Sequence, residues 1–186
     1  MKKFTLLFLL LLSLSSINAQ SLQALGAGLN SHVYEMVPYG NDGTHDNDIY
    51  AGGDFTDAGG DTDADYLARW DGIKWQSVAP GLNGSVYAIA FGINRIYVGG
   101  NFTNAGGNPD ADYIAYWDGT QWNRLGNSLQ APVHTIAIDG DLLYAGGSFT
   151  SPDSYIDHIA VWDGTVWSPL GYGLSQKVES IAILGD

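Results

Sequence analysis

The chain has 186 residues, no cysteine and a formal net charge of −13, carried by 18 aspartates and two glutamates against seven basic residues. So acidic a balance offers no basic footprint for nucleic acid. The missing cysteine excludes disulfide staples, a cysteine nucleophile and a thioether lipid anchor, so the fold must rest on burial, to which each Trp, Tyr or Phe brings on the order of 150–250 Å2.

The N-terminus comes first. Lys2 and Lys3 precede an apolar run, Phe4 to Leu14, that only Thr5 and Ser13 interrupt, and small residues then lead to Ile17-Asn-Ala-Gln20. This layout predicts a secretory signal peptide at residues 1–19, cleaved after Ala19. The run is too short for a membrane-spanning helix, which needs about 20 residues. The expectation is an exported chain, secreted or held at the cell surface, that does not span the membrane once processed.

From residue 25 onward the chain repeats itself. Residues 49–60 read IYAGGDFTDAGG, residues 96–107 read IYVGGNFTNAGG, and residues 143–150 read LYAGGSFT. Tyr50, Tyr97 and Tyr144 fall at a constant spacing of 47 residues. Within the second copy the apolar runs are Val86 to Phe91, Arg95 to Val98, Tyr113 to Trp117, and Trp122 to Leu125. They are short, rich in β-branched and aromatic residues, and separated by Gly, Asn and Asp. No stretch of helical length keeps a helical period with caps. Four strands per repeat predict an all-β fold, a β-propeller-type array of four-stranded antiparallel blades. The blades should cover about residues 25–82, 83–129 and 130–174, with the first strand of a fourth, from about Val178 to Leu184, in residues 175–186. Ile181-Ala-Ile-Leu-Gly-Asp186 matches Ile136-Ala-Ile-Asp-Gly-Asp141, after which the earlier copy runs on into Leu-Leu-Tyr-Ala-Gly-Gly. The fourth repeat is therefore expected to continue, and residues 20–186 alone to be marginally stable or to self-associate.

Two elements recur in every copy. Trp70 and Trp75, Trp117 and Trp122, and Trp162 and Trp167 are each five apart, with Asp-Gly after the first. Asp-Gly is a hairpin turn signal, so each pair should lie across one hairpin as blade packing rather than as sugar-stacking platforms. Asp71, Asp118 and Asp163 read as turn formers. The glycine pairs Gly52-Gly53, Gly99-Gly100 and Gly146-Gly147 end a strand, where the missing Cβ lets a strand bulge or a neighbouring blade approach closely. Phe55, Phe102 and Phe149 should fill the space between blades.

These residues resemble kelch-like β-propeller repeats, including those of the central domain of galactose oxidase: Gly99-Gly100, Trp117 and Trp122 occupy the kelch glycine-pair and aromatic places. Trp stands where kelch repeats usually carry Tyr, and the turn is shorter. Residues 25–186 resemble more closely the YVGGxFTxAGG…IAxWDGxxWxxLGxG repeats of large secreted bacterial proteins, many of which look like propellers followed by a C-terminal sorting module. The resemblance implies a fold and little about activity. The copper chemistry of galactose oxidase needs a Cys-linked Tyr and does not carry over.

Catalytic signatures are absent: the sequence holds no G-x-S-x-G, H-E-x-x-H, P-loop or G-x-G-x-x-G. His32, His45, His134 and His158 share no metal-ligand spacing, although His32 and His134 fall near equivalent points of a blade. Eight aspartates crowd residues 42–65. Asp61-Thr-Asp-Ala-Asp65 opens like a calcium loop, but Tyr66 and Gly72 hold the places of the EF-hand glycine and final glutamate. Asp54, Asp57, Asp61, Asp63 and Asp65 fall on one face and are the candidate Ca2+ ligands; Asp42, Asp46 and Asp48 fall on the other. No other cofactor is expected. The leading expectation is an exported, non-catalytic module for ligand binding or surface display, with a protein or glycan partner. Two alternatives are the propeller scaffold of a secreted carbohydrate-active or redox enzyme, and a structural spacer in a large surface protein.

Overall fold

The structure, a computed structural model, describes residues 25–40, 48–127, 129–150 and 156–184; the signal-peptide region, Asp42, His45 and Asp46 lie outside them. The alternating runs form strands. β1 (Val33–Tyr39), β2 (Asp48–Gly53), β3 (Leu67–Trp70) and β4 (Trp75–Ser77) make the first sheet. β5 (Val86–Gly92), β6 (Arg95–Gly100), β7 (Ile114–Trp117) and β8 (Trp122–Arg124) make the second. β9 (Val133–Asp139), β10 (Leu142–Gly147), β11 (Ile159–Trp162) and β12 (Trp167–Pro169) make the third. Each is an antiparallel meander in chain order, and successive sheets meet mainly through β1, β5 and β9. The expected all-β array of three blades is thus observed, with one short 3-10 turn at Ala105–Gly107 among the described residues.

Two boundaries differ from the sequence expectation. Tyr113 stands before the third strand of its blade at φ 61°, and Tyr66 and His158 repeat this at 62° and 65°. A left-handed non-glycine residue costs roughly 1–2 kcal/mol. Two backbone bonds hold each one: Tyr113 donates to Phe102 O at 3.0 Å, and Gly100 donates to Tyr113 O at 2.9 Å. Residues 178–184 form no ladder and are not a strand. Val178 N donates to Gly147 O at 3.2 Å, and Ile181 N to Thr135 Oγ1 at 3.2 Å, so this segment lies along the third blade.

The glycine pair has a close-packing cause. None of the six glycines lies at positive φ. A Cβ on Gly52 would stand 2.7 Å from Cγ1 of Val86, and one on Gly99 would stand 2.7 Å from Cγ1 of Val133. The first glycine of each pair is thus a hollow that receives the valine of the next blade, and Val178 sits over Gly146 in the same way. A Cβ on the second glycine would collide with a backbone carbonyl of its own blade, that of His32, Ser85 or Pro132. That carbonyl accepts the N–H of the residue following the pair, as Asn101 N to Ser85 O at 2.8 Å.

The tryptophan pairs lie directly opposite one another, Trp70 to Trp75, Trp117 to Trp122, and Trp162 to Trp167. Ring centroids are 5.4–5.7 Å apart. The second indole N–H of each pair donates to the connection that enters its blade: Trp75 to Leu25 O, Trp122 to Pro80 O, and Trp167 to Leu125 O, at 2.9–3.0 Å. The pairs therefore seat inter-blade connections. Asp71, Asp118 and Asp163 form the turns, each accepting two backbone N–H bonds from two and three residues on. Phe102 and Phe149 are buried in clusters that span adjacent blades, as expected, whereas Phe55 packs with Ala51, Ala68 and the entering Leu25 and Leu29.

Gly99→Ala is expected to cost about 1–3 kcal/mol, the usual penalty for overpacking. Adding Val133→Ala to that variant should recover part of the loss. Gly100→Ala should cost more, because its obstacle is a backbone carbonyl that cannot rotate away. Urea denaturation of the four proteins checks the ranking.

Candidate functional site

The bulge permitted by each glycine pair places one side chain of each inner strand. The pairing skips Tyr34 between Val33↔Gly53 and Glu35↔Gly52, and Tyr87 between Val86↔Gly100 and Ala88↔Gly99. It skips His134 in the same way, between Val133↔Gly147 and Thr135↔Gly146. A bulge leaves its extra residue unpaired and re-aims its side chain. The three skipped residues form one continuous row across the blades. Tyr34 meets Tyr87 edge to face at 5.1 Å, and Tyr87 stacks on His134 at 5.3 Å with planes 1° apart. Both arrangements fall in the favourable range for aromatic pairs. Glu179, which follows Val178 as Tyr34 follows Val33, extends the row: its carboxylate lies 3.5 Å from His134 Nδ1 and pairs with Lys177.

In the first and third blades the residue after the glycine pair faces this row. Tyr34 Oη donates to Asp54 Oδ2 at 3.2 Å, and His134 Nε2 lies 3.0 Å from Ser148 Oγ. Asp54 also accepts the backbone N–H of His32 at 2.8 Å, and its Oδ2 lies 3.3 Å from His32 Nδ1. The Ser31 hydroxyl, foremost among these bonds, holds the Asp54 carboxyl below its ordinary range. Desolvation and the bond to Asp54 push the Tyr34 hydroxyl up, so it stays a neutral donor. Ser31, His32 and Asp54 are not a nucleophilic triad: the serine donates to the carboxylate, whereas a triad needs it on the imidazole. The row offers aromatic surface, with Tyr34 half exposed, flanked by the carboxylates of Asp54 and Glu179. It is equipped to stack against flat apolar faces and to accept hydrogen bonds.

Of the sequence-predicted calcium ligands, only Asp54 joins this row. Asp57 Oδ1 accepts Gly60 N at 2.7 Å, and Asp61 accepts Asp63 N at 3.1 Å and Ser77 N at 3.2 Å. Asp65 Oδ1 is buried without a hydrogen-bond partner, and burial, then the charges of Asp63 and Asp57, push its carboxyl up. Among the described residues no three such side chains are grouped to hold a metal ion. Asp48 is buried in an ion pair with Arg69 at 2.7 Å. Trp70, Trp75 and Trp122 are buried and the other three tryptophans half-buried, so none is an open platform. His32 and His134 are offset by two places: His134 corresponds to Tyr34, and His32 to Pro132. Sequence reasoning missed Tyr34 and Tyr87. The signal was present as Leu-x-x-x-Val followed by one residue, at Leu29–Tyr34, Leu82–Tyr87, Leu129–His134 and Leu174–Glu179.

No family model matches the chain, and no curated protein matches it.

The turn aspartates set an acid limit on the fold. Backbone N–H bonds from Lys74 and Ile73 hold Asp71 below its ordinary value, and those from Val166 and Thr165 do the same for Asp163. For Asp118 the Thr120 hydroxyl leads, followed by the N–H groups of Gln121 and Thr120. A depressed carboxylate stabilises the fold above its unfolded pKa and loses that contribution as pH falls through the folded value. Stability is therefore expected to drop below about pH 3.9, the unfolded aspartate value. Asp118→Asn, whose amide oxygen still accepts the turn bonds, should remove that residue's share of the drop. Thermal melts from neutral pH to about pH 2 measure it.

Proposed function

We propose that the chain is an exported, non-catalytic binding module of kelch-like blades that recognises a protein or glycan at the row Tyr34, Tyr87 and His134. The carrying observation is the repeated bulge, which brings the same position of three inner strands into one row beside Asp54. Tyr34 is half exposed, as is Met36 on the same open strand, and Tyr87 and His134 are partly buried, so the row is reachable from solvent. The partner's complement is a flat apolar face with hydroxyl or amide donors. The net charge of −13 disfavours polyanions. Export rests on the basic, apolar and small-residue layout of residues 1–19.

Glycan arrays and peptide displays probed with the full chain identify the ligand. Tyr34→Ala and Asp54→Ala are then expected to weaken binding by roughly tenfold or more each, the about 1.4 kcal/mol of a good contact, while the melting curve of Tyr34→Ala stays close to the parent's. Binding that survives Tyr34→Ala, Tyr87→Ala and Asp54→Ala unchanged would remove the row from the proposal.

A further inference from the structure

Adjacent blades leave a cleft at the end of the strands away from the aromatic row, where Tyr39 pairs with Asp48. Between the first and second blades it holds about 300 Å3 and is lined by Tyr39, Tyr50 and Phe91 and by two arginines, Arg69 of the first blade and Arg95 of the second. The three rings pack on one another with centroids 4.4–5.7 Å apart. The cleft recurs between the second and third blades and is again bordered by Arg95, but Gly92 and Ile138 stand there for Tyr39 and Phe91, and Leu142 for Arg95. The hollow therefore belongs to the repeat, whereas an aromatic wall with two guanidinium groups belongs to the first junction.

The repeat does not need the charges at that junction. Asp48 and Arg69 stand where the second blade has Arg95 and Tyr116 and the third has Leu142 and Val161. Asp48 is a charged side chain only 4% exposed, and a buried ion pair is often no more stabilising than apolar residues of similar volume. Asp48 Oδ2 lies 2.7 Å from Nε of Arg69, whose side chain is 31% exposed. The pair thus holds one edge of the guanidinium and leaves the terminal nitrogens without an ion-pair partner among the described residues. Arg95 stacks 4.7 Å over the Tyr116 ring and forms no ion pair among the described residues.

We propose that this cleft binds a small aromatic monocarboxylate, with the carboxylate on Arg69 and Arg95 and the ring against Tyr39 and Phe91. A guanidinium fork matches a carboxylate in two bonds at once, and aromatic walls suit a flat apolar body. Asp48 already balances Arg69, and Asp118, whose carboxylate is taken up by its own turn, borders the cleft, so a single negative charge is favoured over the two of phosphate. The volume lies at the lower end of the range of ligand pockets, about 300–1,000 Å3, which suits a small molecule and not a glycan chain or a peptide. The cleft lies at the opposite end of the strands from the aromatic row, so it stands whether or not the row has a partner.

Titration calorimetry on the full chain tests this with benzoate as the probe and benzamide and inorganic phosphate as controls. Benzoate is expected to bind with a Kd below about 1 mM, and each control at least about tenfold more weakly. Arg95→Gln, at an exposed position, should weaken benzoate by about tenfold or more. The double variant Asp48→Leu/Arg69→Val installs the residues of the third blade, so it should keep a native-like melt and bind benzoate no better than benzamide. Tyr34→Ala should leave benzoate binding unchanged. A Kd for benzoate weaker than about 1 mM, or equal affinity for benzamide or phosphate, overturns the proposal. So does benzoate binding that Arg95→Gln or the double variant leaves intact, or that Tyr34→Ala abolishes.

Discussion

The fold depends on a hollow the size of one missing methyl. Gly52, Gly99 and Gly146 each leave room above the second strand of a blade; Val86 and Val133 of the following inner strand, and Val178 of the segment after the third blade, occupy it. Val86 and Val133 are fully buried. Because interiors are packed to near-crystalline density, a Cβ in the hollow must push the next blade away. The same contact is made at each step along the array, which is why the sequence repeats there and varies in its loops. The tryptophan hairpins act at the outer end of the same blades: their indoles hold the entering connection 42 or 50 residues earlier in the chain. The second and third blades are thus each tied to the preceding one at both ends.

The packing device and the candidate site are coupled. The second glycine lets a carbonyl of its own blade come so close that the inner strand bulges, and the bulge turns Tyr34, Tyr87 and His134 into a common row. Backbone geometry is shared among the blades, whereas the row's chemistry is not. The residue at the bulge is Tyr, Tyr or His, and the residue after the glycine pair is Asp54, Asn101 or Ser148. Such a scaffold permits the chemistry of the row to change without a change of packing. One further link crosses between inner strands: Glu35 accepts the N–H of Ile89, as Thr135 accepts that of Ile181. Desolvation nonetheless pushes the Glu35 carboxyl up, so its charged form is held at some cost to the fold.

The aspartates divide by local task rather than gathering at one centre. Those after the first tryptophan of each pair organise turns, Asp48 neutralises Arg69, and Asp54 orders Ser31, His32 and Tyr34. Asp57 and Asp61 accept backbone N–H groups and Asp110 pairs with Arg124, while the net charge of −13 opposes contact with polyanions.

Four strands in each of the three repeats, the hairpin at each Trp-Asp-Gly turn and the close approach at each glycine pair were legible in the sequence. Those features follow from residues within one repeat, whose period and turn chemistry are local. Only the tertiary structure decided what fills the glycine hollow, where the indole N–H groups go, and that residues 178–184 do not complete a ladder. It also decided the aromatic row. The Leu-x-x-x-Val before Tyr34 marks its place in the repeat but not where its side chain goes: that arises from a register skip against Gly53 and a hydrogen bond to Asp54, 20 residues away. The acidic cluster at residues 54–65 looked like one site because its members are close in sequence. The structure instead gives Asp54 to the aromatic row and Asp57 and Asp61 to backbone N–H groups, because a backbone N–H is the nearest donor a turn carboxylate meets.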